Sequence, residues 1–355
     1  MLNLIYTYFN YFNFLIKFNN NYLSKNLMLV DDYTLKEKIG KGSFAEVYLT
    51  SKKGSSKTYA TKILEKSKYM DNPKAIKYLL NEIDILKDIN HPNIIKLIKI
   101  HEDQAKVYIV TEFYNGGNLS ESLEKYKNEN NKAFPEDIVQ YIMRQIIEGM
   151  KYLHNKKIIH RGLKLDDIMI HYEDEEDKIS NNIMKGKIKI IDFGFARYLK
   201  KGELSNSTLG IPLTMSPIIL NKLNKIPKYK NMEYNEKVDI WSLGCIFYEL
   251  LMGENPFDSN TMKELVSKVN KGDYYVPISF SKESISFLNC MLQFEPSKRL
   301  SVDKLYNHKF LRKNIKEFNK LDMNKIKNIK IINNSKIKIN TFNNDEIIDN
   351  FVNGL

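Results

Sequence analysis

The pair Gly116-Gly117 separates two stretches whose apolar residues repeat with different periods, so the chain must build two kinds of layer. Before the pair, from Tyr33, short alternating runs (YTLKEKIG, AEVYLTSK, TYATKILEK) predict β-strands joined by Gly-bearing turns. PKAIKYLLNEIDILKDI then places Ile76, Leu79, Leu80, Ile83 and Leu86 at helical spacing, and IKLIKIHED and KVYIVTEF predict two further strands. After Leu119 the period turns helical. EDIVQYIMRQIIEGMKYLHNKK predicts an amphipathic helix with acids in its first turn, where the helix dipole favours them. EKVDIWSLGCIFYELLMG, TMKELVSKVNKG and SKESISFLNCMLQ continue the pattern. The expected class is α+β and bilobal: a small β-rich lobe with one helix and a large α-helical lobe, meeting near Glu112 to Gly117.

With 355 residues, 43% of them apolar and 28% charged, the chain can bury a large core and is not a disordered polymer. A formal charge of +12 raises the question of nucleic acid, but much of the excess is local. Between Arg312 and Asn340, nine Lys or Arg stand against two acids in an Asn- and Ile-rich run, a composition that reads as a solvated tail. No zinc spacing or aromatic-interleaved basic motif accompanies it, so no nucleic-acid partner is expected. Cys245 and Cys290 show neither metal spacing nor a disulfide framework, which points to a reducing, intracellular and cytoplasmic setting. Residues 1–32 begin MLNLIYTYFNYFNFLIKF, an apolar run broken by Asn3, Asn10 and Asn13 that matches neither a spanning helix nor a signal peptide. Two readings stay open: translation from Met28 with an upstream gene-model extension, or a weak membrane anchor.

The chemistry-bearing motifs come in a fixed order. IGKGSFAEVY sets Ile39, Gly40 and Gly42 in a strand–turn–strand, where glycine lets backbone approach a phosphate. Alone, that pattern reads equally as a hairpin turn, and Ala45 takes the usual third glycine position. YATK then puts Lys62 on a strand, Glu82 follows on the helix, and IIDFGFAR places Asp192 before Phe193-Gly194 at a strand end. With HPNII, VTEFYNGGNL, HRGLK, DIWSLG, GENPF and PSKRLS, residues 33–311 resemble a eukaryotic-type protein kinase domain. The N-lobe would span 33–113, its helix being the regulatory one, the C-lobe 119–311, and the basic tail 312–355. IGKGSFAEVY and GIPLTMSPIIL lean toward the Ser/Thr kinases, nearest the autophagy-initiating type.

The resemblance implies roles. Lys62 would grip the ATP α- and β-phosphates, held by Glu82, and Asp192 would hold Mg²⁺. Val47, Ala60 and Met169 would sandwich the adenine, the backbone from Glu112 to Tyr114 would bond its edge, Thr111 would be gatekeeper, and Asn118 would lie near the ribose. The substrate side departs from the family. Gly162 stands where a catalytic aspartate accepts the hydroxyl proton; Lys164, which steadies the transferring phosphoryl group, remains; and Asp167 replaces a metal-binding Asn. Ile211 replaces a threonine that would bond the catalytic aspartate and lysine. Ile218 replaces a buried glutamate that would pair with Arg299, which is therefore expected to reach solvent or another acceptor. Arg161 is a candidate phosphate receiver, with Ser205, Ser207 and Thr208 as candidate modification sites. A protein substrate or regulated partner protein is implied, and three functions are in play: an impaired ATP- and Mg²⁺-binding pseudokinase, a slow Ser/Thr kinase, or a nucleotide-free scaffold.

Overall fold

The structure, a computed structural model, describes residues 29–30, 32–41, 45–70, 73–194, 196–198, 212–277 and 279–312. Gly42, Ser205, Ser207, Thr208 and Ile211, and the tail beyond residue 312, lie outside them. The chain divides into two compact units, residues up to 80 with 95–113, and residues 81–94 with 114 onward.

In the smaller unit, β1 (Leu29–Val30), β2 (Tyr33–Lys41), β3 (Ala45–Lys52), β4 (Thr58–Glu65), β5 (Leu97–Glu102) and β6 (Lys106–Glu112) form an antiparallel sheet. Its order is β1-β2-β3-β4-β6-β5. The alternation read in the sequence decides its two faces. Leu35, Ile63 and Tyr108 form a core cluster on one, with Tyr48 packed against it. Each such side chain removed from water contributes about 1.5–3 kcal/mol. Between β4 and β5 run the single turn α1 (Ser67–Met70) and the longer α2 (Pro73–Asp88). The division into units runs through α2, whose residues from Asn81 group with the larger unit. The helical face expected there shifts: Leu80 is exposed, while Glu82, Ile85 and Leu86 are buried.

The larger unit opens with α3 (Leu119–Asn130) and α4 (Glu136–Asn155). Helix α4 carries Glu136 and Asp137 in its first turn and buries Val139, Ile142, Met143, Ile146, Ile147, Met150 and Leu153. The short strands β7 (Ile158–Ile159), β8 (Ile168–His171), β9 (Lys187–Ile190) and β10 (Arg197–Tyr198) form two antiparallel pairs, β8 with β9 and β7 with β10. The acid run between β8 and β9 contains a helical turn, α5 (Glu175–Ile179), because Asp174 caps it by accepting from the Glu176 amide.

Then follow α6 (Pro217–Leu223), α7 (Lys237–Met252), α8 (Met262–Lys271), α9 (Lys282–Asn289), α10 (Val302–Tyr306) and α11 (Lys309–Arg312). Helix α7 is apolar nearly all round and buried along most of its length. Phe247 of α7, Phe287 of α9 and Phe310 of α11 pack with ring centroids 5.0–5.1 Å apart.

Gly116 and Gly117 do more than separate elements. Gly116 N donates to Ile170 O and Ile170 N to Gly117 O, both at 2.9 Å. A Cβ on Gly116 would lie 2.6 Å from the Tyr172 ring, and Gly117 has φ +72°, so neither position accepts a side chain without strain. No helix among the described residues is long and apolar enough to cross a membrane.

Candidate active site

In the smaller unit, strand register alone gathers the residues expected on the nucleotide side. Gly40 pairs with Val47, Val47 with Lys62, Leu49 with Ala60, and Ala60 with Thr111. Directly opposed residues share a face, as do residues two apart on one strand. Gly40, Val47, Ala60, Lys62 and Thr111 therefore all belong to the face opposite the Leu35–Ile63–Tyr108 core. Thr111 is buried and its hydroxyl donates to Ala60 O at 3.4 Å. Ile39 is exposed. The Glu112 amide donates to Lys96 O at 3.1 Å.

In the larger unit a single buried carboxylate organises the loop of residues 160–167. Asp239, in the first turn of α7, is fully buried. It accepts from His160 N (2.9 Å) and Arg161 N (2.7 Å) and bonds His154 Nε2 (2.9 Å). Burial alone would raise its pKa, but the His154 hydrogen bond and the neighbouring donors hold it below the usual carboxylate range. Two amides donating to one carboxylate fix consecutive peptides, and Arg161 accordingly sits at φ +71°, a conformation that a non-glycine residue holds only under external constraint. Gly162 follows, buried within this pinned backbone. The frame of the loop thus depends on Asp239 and not on any side chain at position 162.

Beyond Gly162, a 3-10 turn spans Leu165–Asp167 and sends its two carboxylates in different directions. Asp167 turns inward, 6% exposed, its Oδ2 accepting from Lys164 N at 3.2 Å and its carbonyl from Ile191 N at 2.8 Å. Burial, reinforced by the charge of Asp192, pushes the Asp167 carboxyl up to about 8. Asp166 turns outward and pairs with Lys164 Nζ at 3.1 Å. Asp192 itself is exposed, at φ +60°, with Oδ1 accepting from Gly194 N at 3.0 Å. Glu82 is buried, and a Cβ on Gly194 would stand 3.7 Å from its carboxylate oxygen. Phe193 is fully buried against His160, ring centroids 5.6 Å apart.

Asp167 and Asp192 offer hard oxygen donors, and no group of three or more His, Cys, Asp or Glu able to hold a metal ion exists among the described residues. A pair fits Mg²⁺, which takes one or two carboxylates and completes its octahedron with water and phosphate. The opposed ionisation of Asp167 is the situation that a cation relieves.

The remaining expected residues have definite surroundings. Met169 lies half-buried on β8 and bridges Asn118. Asn118 is the N-cap of α3, accepting from Glu121 N at 2.9 Å in a capping box. Tyr114 is buried, with Lys189 Nζ 5.2 Å above its ring. Arg161 is buried, and its guanidinium donates to Tyr234 Oη at 3.4 Å.

Arg299 finds another acceptor and not solvent. It is 1% exposed and donates to three backbone carbonyls: Nε to Gln293 O (2.7 Å), NH1 to Lys237 O (2.8 Å) and NH2 to Phe294 O (3.0 Å). Its guanidinium also lies 5.1 Å from the Trp241 ring centroid. Burial lowers its pKa to about 9, so it stays charged at neutral pH. Ile218 is buried, and carbonyl dipoles here hold the charge that a glutamate at position 218 was expected to balance. Sequence reasoning did not single out Asp239 or Asp166. The signal for the first was available: one acid at the start of an otherwise apolar helix needs buried partners.

The protein kinase domain model matches residues 33–311. The serine/threonine-protein kinase atg1 of Dictyostelium discoideum is 32% identical over 289 residues, 80% of this chain and 40% of that relative's length. A probable myosin light chain kinase of the same organism is 31% identical over 291 residues, 81% of this chain and 85% of the relative. With a family match across most of its length, an α+β fold and Ser/Thr kinases among its relatives, this chain belongs to the protein kinase family.

Proposed function

We propose that this chain is an ATP- and Mg²⁺-binding member of the Ser/Thr type whose phosphotransfer is impaired because Gly162 stands in place of the catalytic acid. The observation that carries the reading is the state of the 160–167 loop: its backbone is pinned by Asp239, Asp167 accepts from the Lys164 amide, and position 162 has no side chain. Lys62 and the sheet face around it are assigned to the nucleotide, and Glu82 to the supporting role that the family gives it. Asp167 and Asp192 would hold Mg²⁺, which when bound neutralises phosphate charge. Lys164 steadies the transferring phosphoryl group. What is missing is the group that orients the substrate hydroxyl and takes its proton, a contribution of about 10²–10⁴-fold, or roughly 3–5 kcal/mol of barrier.

Positioning and electrostatics outlast that loss, so the second reading, a slow active Ser/Thr kinase, differs from the first in degree. The protein substrate and partner follow from the family only as a class. The N-lobe (33–113), C-lobe (119–311) and tail (312–355) boundaries belong to the same proposal, as does the intracellular setting.

The test is a thermal shift with Mg·ATP beside a phosphotransfer assay on a Ser/Thr peptide. The reading predicts stabilisation by Mg·ATP, weakened by Lys62→Ala and Asp192→Ala, with turnover far below the roughly 1–100 s⁻¹ of the family. Absence of any shift would leave the nucleotide-free scaffold as the function. Turnover within the family range would contradict impairment.

A further inference from the structure

Of the two acids in the turn after Gly162, Asp166 has no functional role in the account above. The 3-10 turn Leu165–Asp167 curls it back over Lys164, carboxylate to Nζ at 3.1 Å. Its side chain is 53% exposed and that of Lys164 30%, so both groups face solvent while Asp167 is turned inward. Lys164 is the only ion-pair partner of Asp166 among the described residues. Among the described residues, two acids feel its charge: Asp167, and Glu249 of α7, whose carboxyl burial raises first and Asp166 in part. Lys164 is thus held by the carboxylate two residues after it, in a loop with no carboxylate two residues before it.

We propose that Asp166 supplies the carboxylate that position 162 lacks, holding Lys164 and accepting the hydroxyl of the phosphate acceptor. This rests on the reading of the chain as a nucleotide-binding, impaired kinase. A group that steadies a phosphoryl oxygen through Nζ has Asp166 one hydrogen bond behind it, so an acceptor hydroxyl approaching that phosphoryl group comes within reach of a solvent-facing carboxylate. Catalytic hydrogen bonds in unliganded enzymes are commonly longer than in the reacting complex. In the step, the substrate hydroxyl oxygen forms a bond to the γ-phosphorus of a nucleoside triphosphate. The bond from that phosphorus to the β–γ bridging oxygen breaks, its electron pair leaving with the nucleoside diphosphate. The hydroxyl proton passes to the Asp166 carboxylate and then to water. The outward course of Asp166 makes the geometry inferior to a dedicated acid at position 162, and the step slow.

The experiment compares Asp166→Asn and Asp166→Glu with the unmodified full chain, measuring kcat and KM for a Ser/Thr peptide alongside the Mg·ATP thermal shift. The proposal predicts at least about a tenfold fall in kcat for Asp166→Asn with both KM values and the thermal shift retained, and partial recovery in Asp166→Glu. In a Gly162→Asp background the loss on Asp166→Asn should shrink to about twofold, since two acids then compete for one role. A raised peptide KM at constant kcat would make Asp166 a substrate-binding residue and overturn the proposal, as would an equal loss in both backgrounds. A normal thermal shift without phosphotransfer above the Asp192→Ala background refutes this role of Asp166 while leaving nucleotide binding intact. No thermal shift at all in the unmodified chain brings down both readings together.

Discussion

The sheet face of the smaller unit and the 160–167 loop of the larger one place their candidate residues by different means. On the sheet, Gly40, Val47, Ala60, Lys62 and Thr111 share a face because backbone register puts them there. In the loop, the conformation hangs on a buried carboxylate from a distant helix, Asp239, which bonds two consecutive amides and His154. The difference teaches where change is tolerated. A loop fixed through its backbone can lose the side chain at position 162 and keep its shape, so chemistry there is separable from fold. The supporting charge is not separable.

The largest expected effect therefore lies at Asp239. Asp239→Ala leaves two amides and a histidine without their acceptor, a loss of about 3–5 kcal/mol, read as a lower Tm. A drop under about 1 kcal/mol would mean the loop is held by something else. Arg299→Leu comes next, at about 3 kcal/mol, because three buried carbonyls lose their donor. Urea midpoints with unchanged slopes would establish that the loss is in stability.

Acid should sharpen the contrast further. Burial lowers the pKa of His308 to about 4, below the ordinary 6.5 of an unfolded chain. Between those values the unfolded chain takes a proton that the folded one refuses, so stability falls as pH drops through 6.5 toward 4. The loss is about 3 kcal/mol, and His308→Gln should flatten this part of the profile. Asp167 has the opposite sign: its carboxyl is raised to about 8, so without a cation stability falls as pH rises from about 4 toward 8. Asp167→Asn should flatten that fall and reduce the stabilisation gained from Mg²⁺ with nucleotide. The smallest effect on stability is expected on the sheet: Lys62→Ala should cost about 1 kcal/mol or less while weakening the response to Mg·ATP.

Much of this was legible in the sequence, for physical reasons that differ between regions. Period-two and helical patterns mark strands and helices directly, and AEVYLTSK occupies β3 over its whole length. The ordered motifs named Lys62, Glu82, Lys164, Asp167 and Asp192 as candidates. Less legible was anything decided by where a side chain turns. Asp166 and Asp167 are identical neighbours in the sequence, yet one faces inward and the other pairs with Lys164. Arg299 was expected at solvent or another acceptor; the acceptors proved to be three carbonyls, which every residue possesses and no motif announces. The Gly116-Gly117 pair reads as a break, whereas the Tyr172 ring lying where a Cβ would be explains why Gly116 carries no side chain.

The central claim is that the missing side chain at position 162, on a loop whose backbone is held by Asp239, limits phosphotransfer. Its most direct test is the single-turnover rate of γ-phosphate transfer to a Ser/Thr peptide, at saturating Mg·ATP, for the unmodified chain and for Gly162→Asp. The account predicts a slow but Lys62-dependent rate that rises about 10²–10⁴-fold on Gly162→Asp, with the Mg·ATP thermal shift retained. A rate already in the family's range and indifferent to Gly162→Asp would contradict it.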